Sequence, residues 1–248
     1  MDHLLRATAA AEQRHFWFRG FRFFVRPLLE RAAGGRSNLQ LLDCGCGTGN
    51  NLELLGQFGR AFGFDLTASG LELGRAAGRV RTARASVASI PFPDASFDIV
   101  TSFDVLYSLP DPIEQSAIRE MHRVTRPGGW MLVNVAAMEM LRGDHSVLSH
   151  EVRRYSRDSL SRLVTGAGFV IDRITYTNAV LFPPMALARA VQRARGLSEE
   201  QHAHDDISMP GMPVNIALTA LLKAESVWLR FGSNPFGSSL LCLARKSG

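Results

Sequence analysis

The sequence predicts an α/β fold built on a mostly parallel sheet with crossover helices. Two observations carry that expectation. Across residues 39–135, short apolar runs alternate with stretches of helical periodicity, the pattern left by repeated strand–helix–strand crossovers. The first run stops at Asp43 and enters a loop, Gly45-Cys46-Gly47-Thr48-Gly49, with glycine at every second position. A chain turning sharply from strand to helix needs positive φ, and no Cβ where backbone approaches a ligand.

The elements follow in order. Strands are predicted at 39–43, 61–65, 80–85, 97–102 and 130–135. Helices fit between them at 50–58, at 67–77 with Thr67 as N-cap, and at 112–124 with Asp111 as N-cap and Pro112 at the first helical position. The Pro127-Gly128-Gly129 turn ends that third helix and re-enters the sheet. A polar stretch, 136–155, precedes a helix near 157–166 capped by Ser156, and residues 169–175 and 239–244 read as the sixth and seventh strands. Between those two strands, 176–237 reads as an insertion over the active-site face, with apolar residues at helical spacing in 181–195 and 214–231. The block Phe16-Trp17-Phe18-Arg19-Gly20-Phe21-Arg22-Phe23-Phe24 is too aromatic for a solvated tail, so residues 1–36 are expected to pack on the core as a cap.

Composition narrows the partners. A chain of 248 residues with 46% hydrophobic and 21% charged content suits one folded domain. Charges at Asp2, Arg6, Glu12, Arg14 and Arg19 interrupt any signal-peptide core. The longest apolar runs, 179–188 and 216–222, fall short of the roughly 18–20 residues of a membrane span, and a cytoplasmic location is expected. Net charge is +5, but the arginines are spread along the chain, so no nucleic-acid partner is expected. Cys44, Cys46 and Cys242 make no disulfide framework, and Cys-Gly-Cys lacks the Cys-x-x-Cys spacing of metal and redox sites.

The glycine loop departs from the dinucleotide fingerprint Gly-x-Gly-x-x-Gly and from the phosphate loop that ends Gly-Lys-Ser/Thr. Asp43 just ahead of it would repel a pyrophosphate and welcome a cation. Asp65 closes the second strand, where a carboxylate can accept both hydroxyls of a ribose. Three more segments follow at fitting intervals. They are 86–98, with Ile90-Pro91-Phe92-Pro93-Asp94 inside it, then Thr101-Ser102-Phe103-Asp104-Val105-Leu106, then 120–130 with Pro127-Gly128-Gly129.

Together these segments resemble class I S-adenosylmethionine-dependent methyltransferases, in particular the methyltransferase type 11-like family, over roughly 39–175. The resemblance implies a Rossmann-like fold: a seven-stranded, mostly parallel sheet with an antiparallel last strand, plus helical lid insertions. It implies a single domain with a cap at 1–36, a cofactor-binding core at 37–175, a lid at 176–237 and a last strand at 238–248. It also implies S-adenosylmethionine as cofactor, with S-adenosylhomocysteine as product. The cofactor set carried over is Asp43, Gly45, Cys46, Gly47, Gly49, Asp65, Leu66, Ser86, Val87 and Phe103, with Arg19 as a partner for the methionine carboxylate. Ser86 stands where the family has an acid against the adenine amino group; a serine can still hydrogen-bond there.

A sulfonium is already an activated leaving group, so holding acceptor, methyl and sulfur in line and excluding water carries most of the acceleration. A base matters when a hydroxyl or ammonium acceptor must lose a proton. Candidates are His145, His150 and Tyr155, in the segment after the fifth strand. That segment resembles a subgroup written His-Asp-x-x-x-x-His-x-x-Arg-Arg-Tyr, with the first pair reversed here as Asp144-His145, and Phe18-Arg19-Gly20-Phe21-Arg22 matches its N-terminal motif. The alternative is that Arg153, Arg154 and Tyr155 only lock the loop onto the following helix. No metal is assigned: His202-Ala203-His204-Asp205-Asp206 reads as a solvated loop. The expected partner is a small-molecule acceptor, a sugar, lipid-linked compound or secondary metabolite methylated on oxygen or nitrogen. The insertion helices read as lid helices or, alternatively, as a peripheral membrane or lipid-linked substrate contact. A nicotinamide-dependent oxidoreductase and a non-catalytic cofactor-binding regulatory module stay open.

Overall fold

In the computed structural model, residues 11–143, 146–147, 150–195 and 209–248 are described. Seven strands form one sheet: β1 (Leu39–Cys44), β2 (Gly59–Asp65), β3 (Thr82–Arg84), β4 (Phe97–Phe103), β5 (Thr125–Ala136), β6 (Phe169–Thr177) and β7 (Ser239–Lys246). Their order is β3-β2-β1-β4-β5-β7-β6. Only β7 is reversed, pairing antiparallel with β5 and with β6, so the expected antiparallel last strand is present. Among the described residues, the seven α-helices are α1 (Phe16–Ala33), α2 (Asn51–Leu55), α3 (Ala68–Ala76), α4 (Asp111–Val124), α5 (Arg157–Gly166), α6 (Phe182–Arg195) and α7 (Met212–Trp228), with short 3-10 turns at Leu106–Ser108, Glu139–Leu141 and Ala179–Leu181.

Both faces of the sheet are covered, which is why its strands read as near-continuous apolar runs. The period-two geometry of a strand sends Leu39 and Leu41 of β1 to one layer, and Leu42 and Cys44 to the other. The first layer packs under α1, α2 and α7 through Val25, Leu29, Leu55 and Leu222. The second packs under α4 and α5 through Ile118, Met121, Leu160 and Val164. No described helix is long and apolar enough to cross a membrane.

Several boundaries differ from the pattern, each for a local reason. The helix expected at 50–58 stops at Leu55, with Gly56 in its cap position. The one expected to begin at Pro112 begins at Asp111, with Pro110 as cap; the Asp111 carboxylate instead pairs with Arg153 at 2.6 Å. Strand β5 starts five residues early, at Thr125, and runs through Pro127-Gly128-Gly129 as a bulge: Thr125 pairs with Phe97 and Trp130 with Ile99. The third strand is short and lies at the sheet edge. Helix α5 matches its expected span and carries a Ser156/Ser159 capping box.

Candidate functional site

The site is assembled at the carboxyl ends of β1, β2 and β4, where a doubly wound sheet leaves a crevice. Gly45, Gly47 and Gly49 all hold positive φ, between 55° and 80°, so the loop after β1 turns as its sequence requires. The Gly45 and Cys46 amides both donate to the Phe64 carbonyl at 2.9 Å, fastening the loop to the end of β2. A Cβ on Gly47 would meet nothing within 4 Å, so this part of the loop borders open space.

Asp65 organises the turn. One carboxylate oxygen accepts the Gly47 amide at 2.8 Å and the other accepts the Thr67 amide at 2.8 Å. The acid at the end of β2 thereby ties the glycine loop to the start of α3. Beside it, Leu66 is 63% exposed, an apolar surface left open next to a carboxylate. Helix α3 presses onto the loop through small residues: a Cβ on Gly70 would come within 3.1 Å of the Gly47 carbonyl oxygen, and one on Gly74 would overlap the Thr48 carbonyl. The sequence signal for this, Gly70-x-x-x-Gly74 on one helix face, is one residue type repeated at i and i+4. Replacing Gly74 with alanine is expected to push α3 off the loop and to cost about 2 kcal/mol of stability, measurable by chemical denaturation.

Asp43 is 1% exposed at the end of β1. Its Oδ1 accepts the Thr101 hydroxyl at 2.6 Å, while Oδ2 is buried with no partner among the described residues. Burial pushes this carboxyl up to about 7, the nearby Asp65 charge adds to the rise, and the Thr101 hydrogen bond opposes it. Burial also raises the Cys46 thiol, with Asp43 and Asp65 contributing, so Cys46 is a small packed residue and not a nucleophile.

Ser86 opens a tight turn in which its hydroxyl accepts the Ala88 amide at 3.2 Å, and Val87 behind it is buried. The loop is held from below: Arg123 donates to the Ile90 and Phe92 carbonyls and pairs with Asp94, while Glu120 accepts the Ile90 amide at 2.8 Å. Phe103 ends β4 under the edge-on ring of Phe21, centroids 5.0 Å apart. The next residue, Asp104, has φ +61°. It accepts from the Asn134 side chain at 2.9 Å and gives its amide to the Asn134 carbonyl. Asp104 is exposed, yet enough protein surrounds its carboxyl for desolvation to push it up to about 7, with Glu151 adding and Asn134 and Arg154 opposing. Asp104 directly follows the carboxyl end of β4, within reach of the loop after β1 through Phe103. Nothing in the residue pattern singled out Asp104; its signal is conformational.

The N-terminal cap reaches the same loop. Glu12 accepts the Thr48 hydroxyl at 2.5 Å, and Arg22 donates to the Asn50 side chain at 2.7 Å. Arg79 joins them, donating to the Thr48 carbonyl at 3.2 Å and pairing with Glu53 at 3.0 Å. Arg19, proposed from the sequence, is exposed, and it is Arg22, one turn on, that touches the loop.

The block after β5 divides. His145, with Asp144, lies outside the described residues, as do His202, His204, Asp205 and Asp206. His150 is exposed in a turn at φ +51°. Tyr155 is buried with its hydroxyl donated to Glu114 of α4, so it does not face the cleft. Arg153 pairs with Glu114 at 2.7 Å, and Arg154 pairs with Glu151 and donates to the Ala137 carbonyl at 3.0 Å. Arg153 and Tyr155 thus fasten the loop to the preceding helix α4 and not to the following one, while Arg154 ties it to Glu151 and to the chain just after β5.

The family description "Methyltransferase domain" matches residues 42–133. The chain is 29% identical over 171 residues to a Mycolicibacterium smegmatis protein named "Probable S-adenosylmethionine-dependent methyltransferase", across 67% of this chain and 64% of that one. It is 31% identical over 153 residues to the ubiquinone/menaquinone biosynthesis C-methyltransferase UbiE of Shewanella sp. (strain ANA-3), across 57% of this chain and 58% of that one. The match spans under two thirds of either relative's own length. Among solved structures, Haemonchus contortus phosphoethanolamine N-methyltransferase 2, in complex with S-adenosyl-L-methionine, superposes with a TM-score of 0.62 at 18% identity, covering 100% of this chain and 58% of that one. At that identity the likeness is one of fold. Sheet order and sequence similarity meet at one conclusion: residues 42–133 match a methyltransferase domain, and the chain is similar in sequence and sheet order to class I S-adenosylmethionine-dependent methyltransferases.

Proposed function

We propose that the protein transfers a methyl group from S-adenosylmethionine to a small-molecule acceptor bound in the cleft beside Asp104. The observation that carries this reading is the buried, unpartnered Oδ2 of Asp43 beside a second acid, Asp65. Two carboxylates at a glycine loop suit a cationic nucleoside and disfavour a pyrophosphate, which argues against a nicotinamide dinucleotide. The open side of Gly47 and the exposed Leu66 fit the same ligand, the first by admitting it close to backbone, the second by offering apolar surface to a base. When bound, S-adenosylmethionine would supply a methyl group already activated by its sulfonium.

In this reading Asp65 holds the ribose, Ser86 and Val87 border the adenine, and Phe103, backed by Phe21, walls the methionine end. Asp43 balances positive charge from beneath the loop. Thr48 and Asn50, bonded to Glu12, Arg22 and Arg79, keep the loop fixed, so the binding geometry is set before the ligand arrives.

Where the acceptor must lose a proton, Asp104 is the group the geometry favours and His150 is the second candidate. A carboxyl near 7 is half ionised at neutral pH and can accept a proton as the acceptor attacks. The expected pH–rate profile rises through about 7, because Asp104 is protonated below that value and cannot act as a base. Asp104→Asn should remove that limb and slow turnover at least ~10-fold, while His150→Ala keeps the limb. An unchanged profile in Asp104→Asn would assign the proton to another group.

The acceptor is open to three chemistries: oxygen, nitrogen and carbon. The related UbiE is named for a carbon acceptor and the Haemonchus enzyme for a nitrogen one. Product formation from methyl-labelled cofactor, assayed against quinol, amine and sugar acceptors, separates them. An acceptor carried by a membrane is favoured by the outer face of α7, where Met212, Ile216, Leu221 and Trp228 are exposed.

A further inference from the structure

Helix α7 is built inside out. Its inward positions are largely polar: Asn215, Thr219, Glu225 and Ser226 are buried, with Leu222 among them and Leu229 just past the helix end. Its outward positions are apolar, from Met212 at 76% exposure through Ile216, Ala217, Ala220, Leu221 and Ala224 to Trp228 at 58%, with Phe231 just beyond at 84%. Ordinary amphipathic helices do the reverse.

The inward polar groups have structural work. Asn215 accepts the Phe16 amide at 2.8 Å and donates to the Arg14 carbonyl at 2.9 Å, which fixes the start of α1. Glu225 accepts the Ala179 and Val180 amides at 2.9 and 3.1 Å and the Asn234 side chain at 2.8 Å. Gly20 of α1 sits against Leu222, where a Cβ would overlap the leucine side chain. These bonds hold α7 in this rotation, so the apolar stripe stays outward. Large exposed apolar patches mark interaction sites.

We propose that this stripe docks the protein on an anionic lipid surface. Charge and chemistry select that occupant over a protein. Among the described residues, exposed Arg14, Arg19, Lys223 and Arg230 lie on or just past α7, or on or just before α1, which packs against it, while the acids Glu12 and Glu225 of these segments turn inward to Thr48 and to backbone amides. A cationic rim around an apolar face attracts anionic headgroups. A second copy docked through the same face would bring one cationic rim against another, since a two-fold contact uses the same patch on both copies. The stripe presents almost no hydrogen-bonding side chain, because the Trp228 indole N–H is donated to Asn234 at 3.2 Å. Acyl chains ask for none, whereas protein interfaces use roughly one hydrogen bond per 100–200 Å². At 17 residues, with its inner face bonded to the core, α7 would lie along the interface without spanning it.

The test is co-sedimentation of the full chain with vesicles of pure phosphatidylcholine and of phosphatidylcholine containing phosphatidylglycerol. Binding to the mixed vesicles, at least tenfold weaker on pure phosphatidylcholine and reduced by added salt, is the expected result. Ile216→Ser combined with Phe231→Ser should lower it at least tenfold with an unchanged melting temperature, because both side chains point away from the core. Lys223→Glu combined with Arg230→Glu should lower it while leaving S-adenosylmethionine affinity intact. Equal binding of wild type and the serine variant, or no preference for anionic lipid, overturns the proposal. So does a dimer in analytical ultracentrifugation that the serine variant abolishes, since the stripe would then join two copies. The assay needs no cofactor, so its failure would leave the methyl-transfer reading standing.

Discussion

Asp65→Ala is expected to lower S-adenosylmethionine affinity about 100-fold, roughly 2.7 kcal/mol. Two losses combine. The carboxylate proposed to hold the ribose is gone, and charged hydrogen bonds of that kind contribute roughly 1.5–3 kcal/mol. The amides of Gly47 and Thr67 also lose their acceptor, so the loop and the start of α3 are no longer tied together. Asp65→Asn should recover only part of the affinity, because its amide group can accept from one of these donors but presents N–H to the other. Titration calorimetry at neutral pH reads both variants. An affinity within about twofold of wild type in Asp65→Ala would mean that the ribose is held elsewhere.

Asp43→Asn is expected to separate binding from stability in opposite directions. The folded-state carboxyl is raised to about 7, so the folded protein binds this proton more tightly than the unfolded chain does. The sign follows: the group favours the folded state most at low pH, and that contribution is lost as pH rises from the ordinary carboxylate range through 7. Removing the titration should therefore make the ligand-free protein more stable at pH 8, by roughly 2 kcal/mol, a difference that shrinks as pH falls and closes only in the ordinary carboxylate range near pH 4. The neutral side chain is also expected to weaken cofactor binding about 100-fold at pH 8, where wild-type Asp43 is charged and one oxygen has no internal partner. At pH 5.5 wild type and variant should converge. Thermal melts across pH, with and without S-adenosylmethionine, give both curves. Parallel wild-type and variant melting curves from pH 5 to 8 would show that Asp43 does not titrate there.

The fold was legible because its signals are local. Strand starts at Leu39, Phe97, Phe169 and Ser239 and the Ser156-capped helix need only a few neighbouring residues to be recognised. The misjudged boundaries are those settled by distant partners: Arg153 takes Asp111 away from its capping position, and pairing with Phe97 draws Thr125 into β5. In the candidate site, the glycine loop and Asp65 could be read from spacing. The role of Tyr155 could not, since Glu114 lies 41 residues away in sequence. Asp104 is illegible for the same reason: its distinction is a positive φ and hydrogen bonds with Asn134 thirty residues on, and neither is written in residue type.

By itself the sequence determined the sheet and the likeness to methyltransferases, because glycine spacing and strand-ending acids act through backbone geometry and charge within a few residues. The tertiary structure alone decided which way side chains face. It buried Asp43 while leaving one oxygen without a partner, put Arg22 and not Arg19 on the loop, and rotated α7 so that its apolar side looks outward. The physical reason is one of range. A helix of mixed composition has no preferred rotation until partners far along the chain, here the Phe16, Ala179 and Val180 amides, claim its polar side chains.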